Sequence, residues 1–264
     1  MIKQPILDVS GLTMDFGGIR ALSALDLDVM SGEIVALIGP NGAGKTTFFN
    51  CITGIYTPTE GNIWLTPPGG AKKISLNGLK PNQITEKGLA RTFQNIRLFS
   101  KMTVLENVMI GRHCRTKAFI FGAIFRNKAT LREEQDILET SYAILEKVGL
   151  ADYADEFADN LPYGAQRRLE IARALATEPL LLLLDEPAAG MNPQETIELE
   201  HLIREISREG QAILLIEHDM KLVMSLSDRI FVMDYGKKIA QGTPSEIREN
   251  PAVIKAYLGE EVDA

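Results

Sequence analysis

Five apolar residues in succession, Ile34, Val35, Ala36, Leu37 and Ile38, are followed at once by a glycine-rich turn. A run this short, with β-branched members and no polar break, reads as a strand buried on both faces. The turn is Gly39, Pro40, Asn41, Gly42, Ala43, Gly44, Lys45 and Thr46, which fits the spacing G-x-x-x-x-G-K-[ST]. Lys45, Thr46 and Thr47 then open a helix. A buried strand that turns directly into a helix commits the chain to an α/β architecture. It also makes a phosphate site. Glycines let backbone N–H groups curl around phosphate oxygens without interference from a Cβ. The helix N-terminus adds about half a positive charge facing the anion. In that setting Lys45 reaches the β- and γ-phosphates of a nucleotide, and the Thr46 hydroxyl holds Mg2+. Glycine-rich turns match this spacing by chance; the strand before it and the helix behind it single out the phosphate loop.

The rest of the chain agrees with α/β. Residues 22–29 alternate apolar and polar, as a half-buried strand does. Residues 180–184 and 212–216 are two more continuous apolar runs, read as buried strands. Between them, 194–209 carries Leu199, Leu202, Ile203 and Ile206 at helical spacing. That is a crossover helix between parallel strands. The Pro/Gly stretch 66–70 reads as a turn between short strands. From about 98 to 160 there is no strand-like run, and 131–148 is strongly helical in pattern, so this stretch reads as a helical insertion.

Composition narrows the function classes. The chain has 264 residues, 28 Lys+Arg against 35 Asp+Glu, and a formal net charge of −7. An acidic balance argues against nucleic acid as a partner of the whole surface. Cys51 and Cys114 form no C-x-x-C pattern, which fits a reducing compartment. His113, His201 and His218 are too scattered to suggest zinc. Residues 1–5 lack the apolar core of a signal peptide. The longest apolar run outside the strands, 118–125, has eight residues, against the roughly 20 that a bilayer span needs. A membrane role is therefore expected through a partner.

A second acidic site follows the leucine run, at Asp185, Glu186 and Pro187. In an open parallel sheet, sites form beyond the C-terminal ends of the strands, so this pair is expected beside the phosphate loop. Asp185 would bind Mg2+ through water. Glu186, one residue on, would take a proton from an attacking water. The plainer reading, that the pair caps the next helix, leaves unexplained why a leucine run should deliver two carboxylates to the sheet edge.

With these motifs in place the chain resembles the ATP-binding cassette (ABC) ATPases. Gln94 matches the family's Q-loop glutamine, which senses Mg2+ and the lytic water. Leu161, Pro162, Tyr163, Gly164 and Ala165 fall where the signature loop belongs, and 189–192 where the D-loop belongs. His218 matches the switch histidine at the γ-phosphate, and Phe16 the aromatic that stacks on adenine. Singly, each has a plain alternative: Phe16 as core, Gln94 as a surface polar residue, His218 as a histidine satisfied by backbone. Their order along the chain carries the resemblance. Within the family it is closest to the ATPase subunits of branched-chain amino acid importers. The carrying stretches are 91–99, 186–190, 216–224, Gly242 to Pro244, Asn250 with Pro251, and 256–259.

The resemblance implies a P-loop ABC fold: a mostly parallel core sheet, an antiparallel β subdomain and a helical insertion at about 98–160. It implies one domain over 6–259 and a short acidic tail at 260–264. It implies ATP and Mg2+ as ligands, a second ATPase subunit, two membrane permease subunits, and a substrate-binding protein reached indirectly. The expected place is the cytoplasmic face of the inner membrane, held there by the permeases. In the family the insertion docks the permease, and here Phe119, Ile120, Phe121, Ile124 and Phe125 lie between Lys117 and Arg126. That cluster reads equally as a docking patch or as the insertion's own core, and less readily as a membrane-surface contact. One rival is a cassette protein of translation or DNA maintenance, which needs two cassettes or a coiled-coil insert. Others are the ABC-type ATPase of another importer and a nucleotide-gated module that barely hydrolyses.

Two departures stand out. The family signature begins Leu-Ser-Gly-Gly-Gln, and here Pro162, Tyr163 and Ala165 replace the serine, the first glycine and the glutamine. Proline has neither hydroxyl nor backbone donor to offer the partner's nucleotide. Tyr163 and the Gly164 amide are the alternative donors. Asn192 stands where the D-loop usually has aspartate, which removes a charge from the contact between subunits.

Overall fold

The computed structural model describes residues 4–69, 72–115 and 128–258. The apolar cluster at Phe119, Ile120, Phe121, Ile124 and Phe125 and the tail at 260–264 lie outside the described residues.

Two sheets carry the fold. Four antiparallel strands lie in the order β2 (Ile19–Val29), β1 (Leu7–Phe16), β4 (Glu60–Leu65), β5 (Ile74–Ser75). Six strands make the second sheet, in the order β10 (Lys237–Gly242), β9 (Arg229–Asp234), β3 (Ile34–Ile38), β8 (Ala212–Ile216), β7 (Leu181–Asp185), β6 (Leu89–Arg91). All its pairings are parallel except β9 with β10. The α/β reading with a mostly parallel sheet and a separate antiparallel one stands.

Among the described residues the helices are α1 (Lys45–Ile52), α2 (Pro81–Lys87), α3 (Val104–Arg112), α4 (Lys128–Lys147), α5 (Tyr163–Leu175), α6 (Pro193–Arg208), α7 (Met220–Leu226), α8 (Pro244–Arg248) and α9 (Pro251–Leu258). Among the described residues of 104–160 lie α3, α4 and short 3-10 turns, and Phe157 forms an isolated bridge with Thr103.

Continuous apolar strands are explained by what covers them. Side chains alternate across a strand, and here both faces are buried. Ile34, Ala36 and Ile38 of β3 join Leu182, Leu184, Ile213 and Leu215 on one face, beneath Leu169, Leu199 and Leu222 of α5, α6 and α7. Val35 and Leu37 join Leu181, Leu183 and Leu214 on the other, against Phe48 and Phe49 of α1 and the antiparallel sheet. Val104, Val108 and Leu145 of α3 and α4 belong to the first cluster, so the helical region shares the sheet's core. In α6 the four buried side chains are Leu199, Leu202, Ile203 and Ile206, the stripe read from the sequence.

The leucine strand sits one residue later than its apolar run. Leu180 is outside it, and the backbone N–H groups of Leu180 and Leu181 both donate to the Gly88 carbonyl, at 2.7 and 3.0 Å. The register then places Asp185 opposite Ile216, and Leu37 of β3 also opposite Ile216. The ends of β3, β7 and β8 are therefore level, and the segments leaving them share one edge of the sheet. Cys51 and Cys114 are both free thiols.

Candidate active site

The phosphate loop is shaped by close backbone approach. A Cβ on Gly39 would stand 2.1 Å from the Met233 carbonyl oxygen of β9, so no other residue fits there. Gly44, with φ +101°, turns the chain into α1 through the left-handed region that glycine reaches without strain. The Lys45 side chain folds back, its Nζ donating to the carbonyls of Gly39 at 2.6 Å and Pro40 at 3.0 Å. Burial pulls the Lys45 ammonium below its ordinary 10.5, and the charge of Glu186 opposes that shift. A cavity of about 220 Å³ opens over this loop, lined by 41–47 together with Glu186 and His218.

Asp185 ends β7, and Glu186 follows with φ +48°. In an extended strand the two carboxylates would point to opposite faces. The left-handed backbone at Glu186, an uncommon state for a residue with a Cβ, re-aims its side chain towards the loop. The Glu186 N–H is held by the Ile216 carbonyl at 2.9 Å. Gln94 Nε2 donates to Glu186 Oε2 at 2.7 Å, and His218 Nε2 lies 3.0 Å from Oε1. A carboxylate only accepts, so Nε2 carries the imidazole proton. The structure thus brings together Glu186, Gln94, His218 and the phosphate loop.

Asp185 is nearly buried and pairs with Arg91, Nη2 to Oδ2, at 2.6 Å. Arg91 also donates to Asn50 Oδ1 on α1 at 2.8 Å. Neither Arg91 nor Asn50 has a role read from the sequence, although Arg91 opens the stretch 91–99 that carries the resemblance. Glu217, within the resemblance-carrying stretch 216–224, likewise has no role read from the sequence. Its buried carboxylate accepts the backbone N–H groups of Ala188 at 2.8 Å and His218 at 2.9 Å, and so pins the two segments that flank Glu186. Burial pushes the Glu217 carboxyl up, against the pull of those hydrogen bonds.

Phe16 is 42% exposed, and its ring meets Tyr56 edge-on at 5.2 Å. The pair forms a partly open aromatic ledge, and Tyr56 had no sequence signal of its own. Pro162, Gly164 and Ala165 are not at the phosphate loop. They line a separate recess of about 110 Å³ with Met191 and Glu195. Pro162 occupies the N-cap of α5 with no side-chain bond. The Tyr163 hydroxyl donates to the Ala189 carbonyl at 2.9 Å. Asn192 is the N-cap of α6, its Oδ1 accepting from Glu195 N at 3.0 Å while Glu195 Oε2 accepts from Asn192 N at 2.9 Å.

The family model described as ABC transporter matches residues 22–189, and one described as branched-chain amino acid ATP-binding cassette transporter matches 237–263. The chain belongs to the ABC transporter family. Membership makes it a transporter ATPase, as the motifs implied. Among its relatives is the high-affinity branched-chain amino acid transport ATP-binding protein LivG of Salmonella typhimurium, 51% identical over 98% of this chain and all of the relative. BraF of Pseudomonas aeruginosa, which bears the same description, is 49% identical over the same shares. Among solved structures, the ADP conformation of the ATP-binding cassette MJ1267 is 31% identical, with a TM-score of 0.82 over 97% of this chain and all of that one. A nucleotide-free cassette from an ABC transporter superposes equally well, at TM-score 0.82 and 30% identity. Among the described residues no helix of this ABC ATPase is long and apolar enough to cross a membrane.

Proposed function

We propose that this ABC ATPase binds Mg-ATP on the loop at 39–47, hydrolyses it with Glu186 as the base, and so drives import of branched-chain amino acids. The observation that carries the chemistry is Glu186, held between Gln94 and His218 in a cavity walled by the phosphate loop. The substrate class rests on the relatives' names and on the match over the C-terminal segment.

Mg2+ suits the donors present. Thr46 brings a hydroxyl, Gln94 an amide oxygen, and Asp185 an Oδ1 that its pair with Arg91 does not use. Among the described residues no cluster of three His, Cys, Asp or Glu offers an all-protein cage. That fits an ion that keeps its waters and shares phosphate oxygens. When bound it neutralises charge on the β- and γ-phosphates.

Lys45 gives up its two loop carbonyls for phosphate oxygens. The free amides at the start of α1 take the remaining charge. A water between Glu186 and the γ-phosphate loses its proton to the carboxylate as its oxygen forms the new P–O bond, while the bond from the γ-phosphorus to the β–γ bridging oxygen breaks and ADP leaves with that oxygen's electron pair. His218 orients Glu186 through Nε2–H and stands ready for the γ-phosphate. Phe16 and Tyr56 offer the adenine a ring surface.

We read 6–259 as one ATPase domain. It pairs with a second ATPase subunit, whose nucleotide meets Pro162, Tyr163, Gly164 and Ala165, and it attaches to two permease subunits at the cytoplasmic face of the membrane. Uptake of leucine, isoleucine and valine into proteoliposomes holding the assembled transporter tests this reading. ATP-dependent uptake that Glu186→Gln abolishes is expected. Uptake of another solute class, with none of these three, would overturn the substrate assignment.

A further inference from the structure

We infer that Arg167 is a positioning residue that sets where Gln94 stands against Glu186. This rests on the roles given to Gln94 and Glu186 above. Arg167 is fully buried on α5, and its partner Glu170, one helical turn on, is 1% exposed. A buried ion pair adds little stability over well-packed apolar residues, because desolvation cancels its attraction. What this pair supplies is direction.

The guanidinium fork grips the segment that carries Gln94. Nη1 donates to the Phe93 carbonyl at 2.6 Å and Nη2 to the Gln94 carbonyl at 2.7 Å, while Nη1 also binds Glu170 Oε2 at 2.8 Å. The other oxygen of Glu170 accepts the backbone N–H of Phe93 at 3.3 Å and of Arg97 at 3.4 Å. Residues 93–97 lie beyond the end of β6 and belong to no helix or strand, so this clamp replaces the ladder that β6 no longer provides. The peptide whose side chain reaches Glu186 is the one whose carbonyl Arg167 holds.

The same fork reaches the other side of Glu186. Nη2 lies 3.4 Å from the Tyr163 hydroxyl, which donates to the Ala189 carbonyl at 2.9 Å. Ala189 N in turn donates to the Glu186 carbonyl at 3.1 Å. A Cβ on Gly190 would touch the Tyr163 ring at 3.3 Å, so ring and turn are in contact. One buried side chain on α5 therefore ties together the segment before Glu186 in space, the turn after it, and the helix that begins at Pro162. A tilt of α5 moves Gln94 relative to Glu186. Lysine replaces the fork only in part: it restores the charge beside Glu170, but a single ammonium does not span two carbonyls and a carboxylate in one plane.

The test is a double-mutant cycle on ATP turnover by the full-length chain in its assembled transporter. Arg167→Met is expected to lower kcat about ten- to a hundredfold, the scale of an ångström of misplacement, with ATP affinity changed less than about threefold. In a Gln94→Ala background the same substitution is expected to cost less than about threefold further. Arg167→Met with Glu170→Leu, which removes both charges of the buried pair together with the Glu170 contacts to Phe93 and Arg97, should fold and show at least the same kcat loss. Arg167→Lys should recover part of it. An equal loss with and without Gln94 would overturn the clamp while leaving the site assignment standing. Unchanged turnover in Gln94→Ala alone would overturn the site assignment, and the clamp with it.

Discussion

Arg91 and Asp185 form an ion pair of 2.6 Å in which each side chain is only 8% exposed. The guanidinium lies between the rings of Phe49, 5.5 Å away, and Phe93, 5.3 Å away, and its second arm reaches Asn50 of α1. The pair thus locks the acidic end of β7 to the helix that starts at the phosphate loop. The distance between Asp185 and Thr46, two of the three metal-binding candidates, is set by a residue that touches neither phosphate nor metal in the proposed mechanism.

Replacing Arg91 with methionine leaves the Asp185 carboxylate buried and unpaired. Breaking a buried pair from one side costs about 3–5 kcal/mol. Urea denaturation should show a loss of that size. Arg91→Met combined with Asp185→Asn should recover a large part of it, since no charge then remains buried alone.

Glu186→Gln keeps the contacts to Gln94 and His218 in shape but removes the proton acceptor. Turnover should fall about 10²–10⁴-fold while ATP still binds, and ATP-bound pairs of subunits should accumulate. Steady-state hydrolysis together with size-exclusion chromatography in ATP checks both. Turnover near that of the unaltered protein would move the base to another residue.

Lys45 titrates below 10.5 because burial disfavours its charge. In alkaline solution between its folded value and 10.5, the unfolded chain holds the proton and the folded chain does not. Stability from this group therefore rises with pH through that window, and Lys45→Met should flatten the rise. ATP binding runs the other way, since phosphate favours the charged amine. ATP affinity should weaken as pH climbs through the same window, with proton uptake on binding seen by calorimetry in two buffers of different ionisation enthalpy.

Phe16→Ala should weaken ATP binding by about 1–3 kcal/mol, the usual worth of stacking a base on an aromatic ring. Tripolyphosphate, which has no base, should bind both proteins alike. A matching loss for tripolyphosphate would mean that Phe16 supports the loop rather than adenine.

Pro162 lacks the hydroxyl of the family signature, and the nearest substitute, the Tyr163 hydroxyl, donates to the Ala189 carbonyl. A hydrogen bond to a charged group is worth about 1.5–3 kcal/mol. The site completed by this subunit's signature loop should therefore gain about tenfold to a hundredfold in ATP affinity or rate from Pro162→Ser. Turnover of the assembled transporter, with the base residue disabled in each subunit in turn, separates the two sites. No gain on the partner side would show the proline to be neutral.

The phosphate loop and the stripe on α6 were legible from residues 34 to 46 and 194 to 209 alone, because their physics is local. A glycine-rich turn needs only its own backbone, and a helical stripe only its own periodicity. The strand order and the meeting of Gln94, Glu186 and His218 were not, since those side chains are 92 and 32 residues apart. They meet because β6, β7 and β8 lie side by side in register, and because the backbone at Glu186 turns left-handed, and neither leaves a local pattern. Asn192, uncharged where the family has aspartate, is also a helix cap, its Oδ1 accepting from the N–H of Glu195 three residues on. Arg91 and Glu217 lie in stretches that carry the resemblance, 91–99 and 216–224, yet the chain assigns no role to them or to Arg167. A buried charge is recognised by what surrounds it, and their partners come from α1, β7, the turn after Glu186 and the segment at 93–97. The contiguous sequence determined which groups could do chemistry; the packing of strands and helices decided which of them stand together.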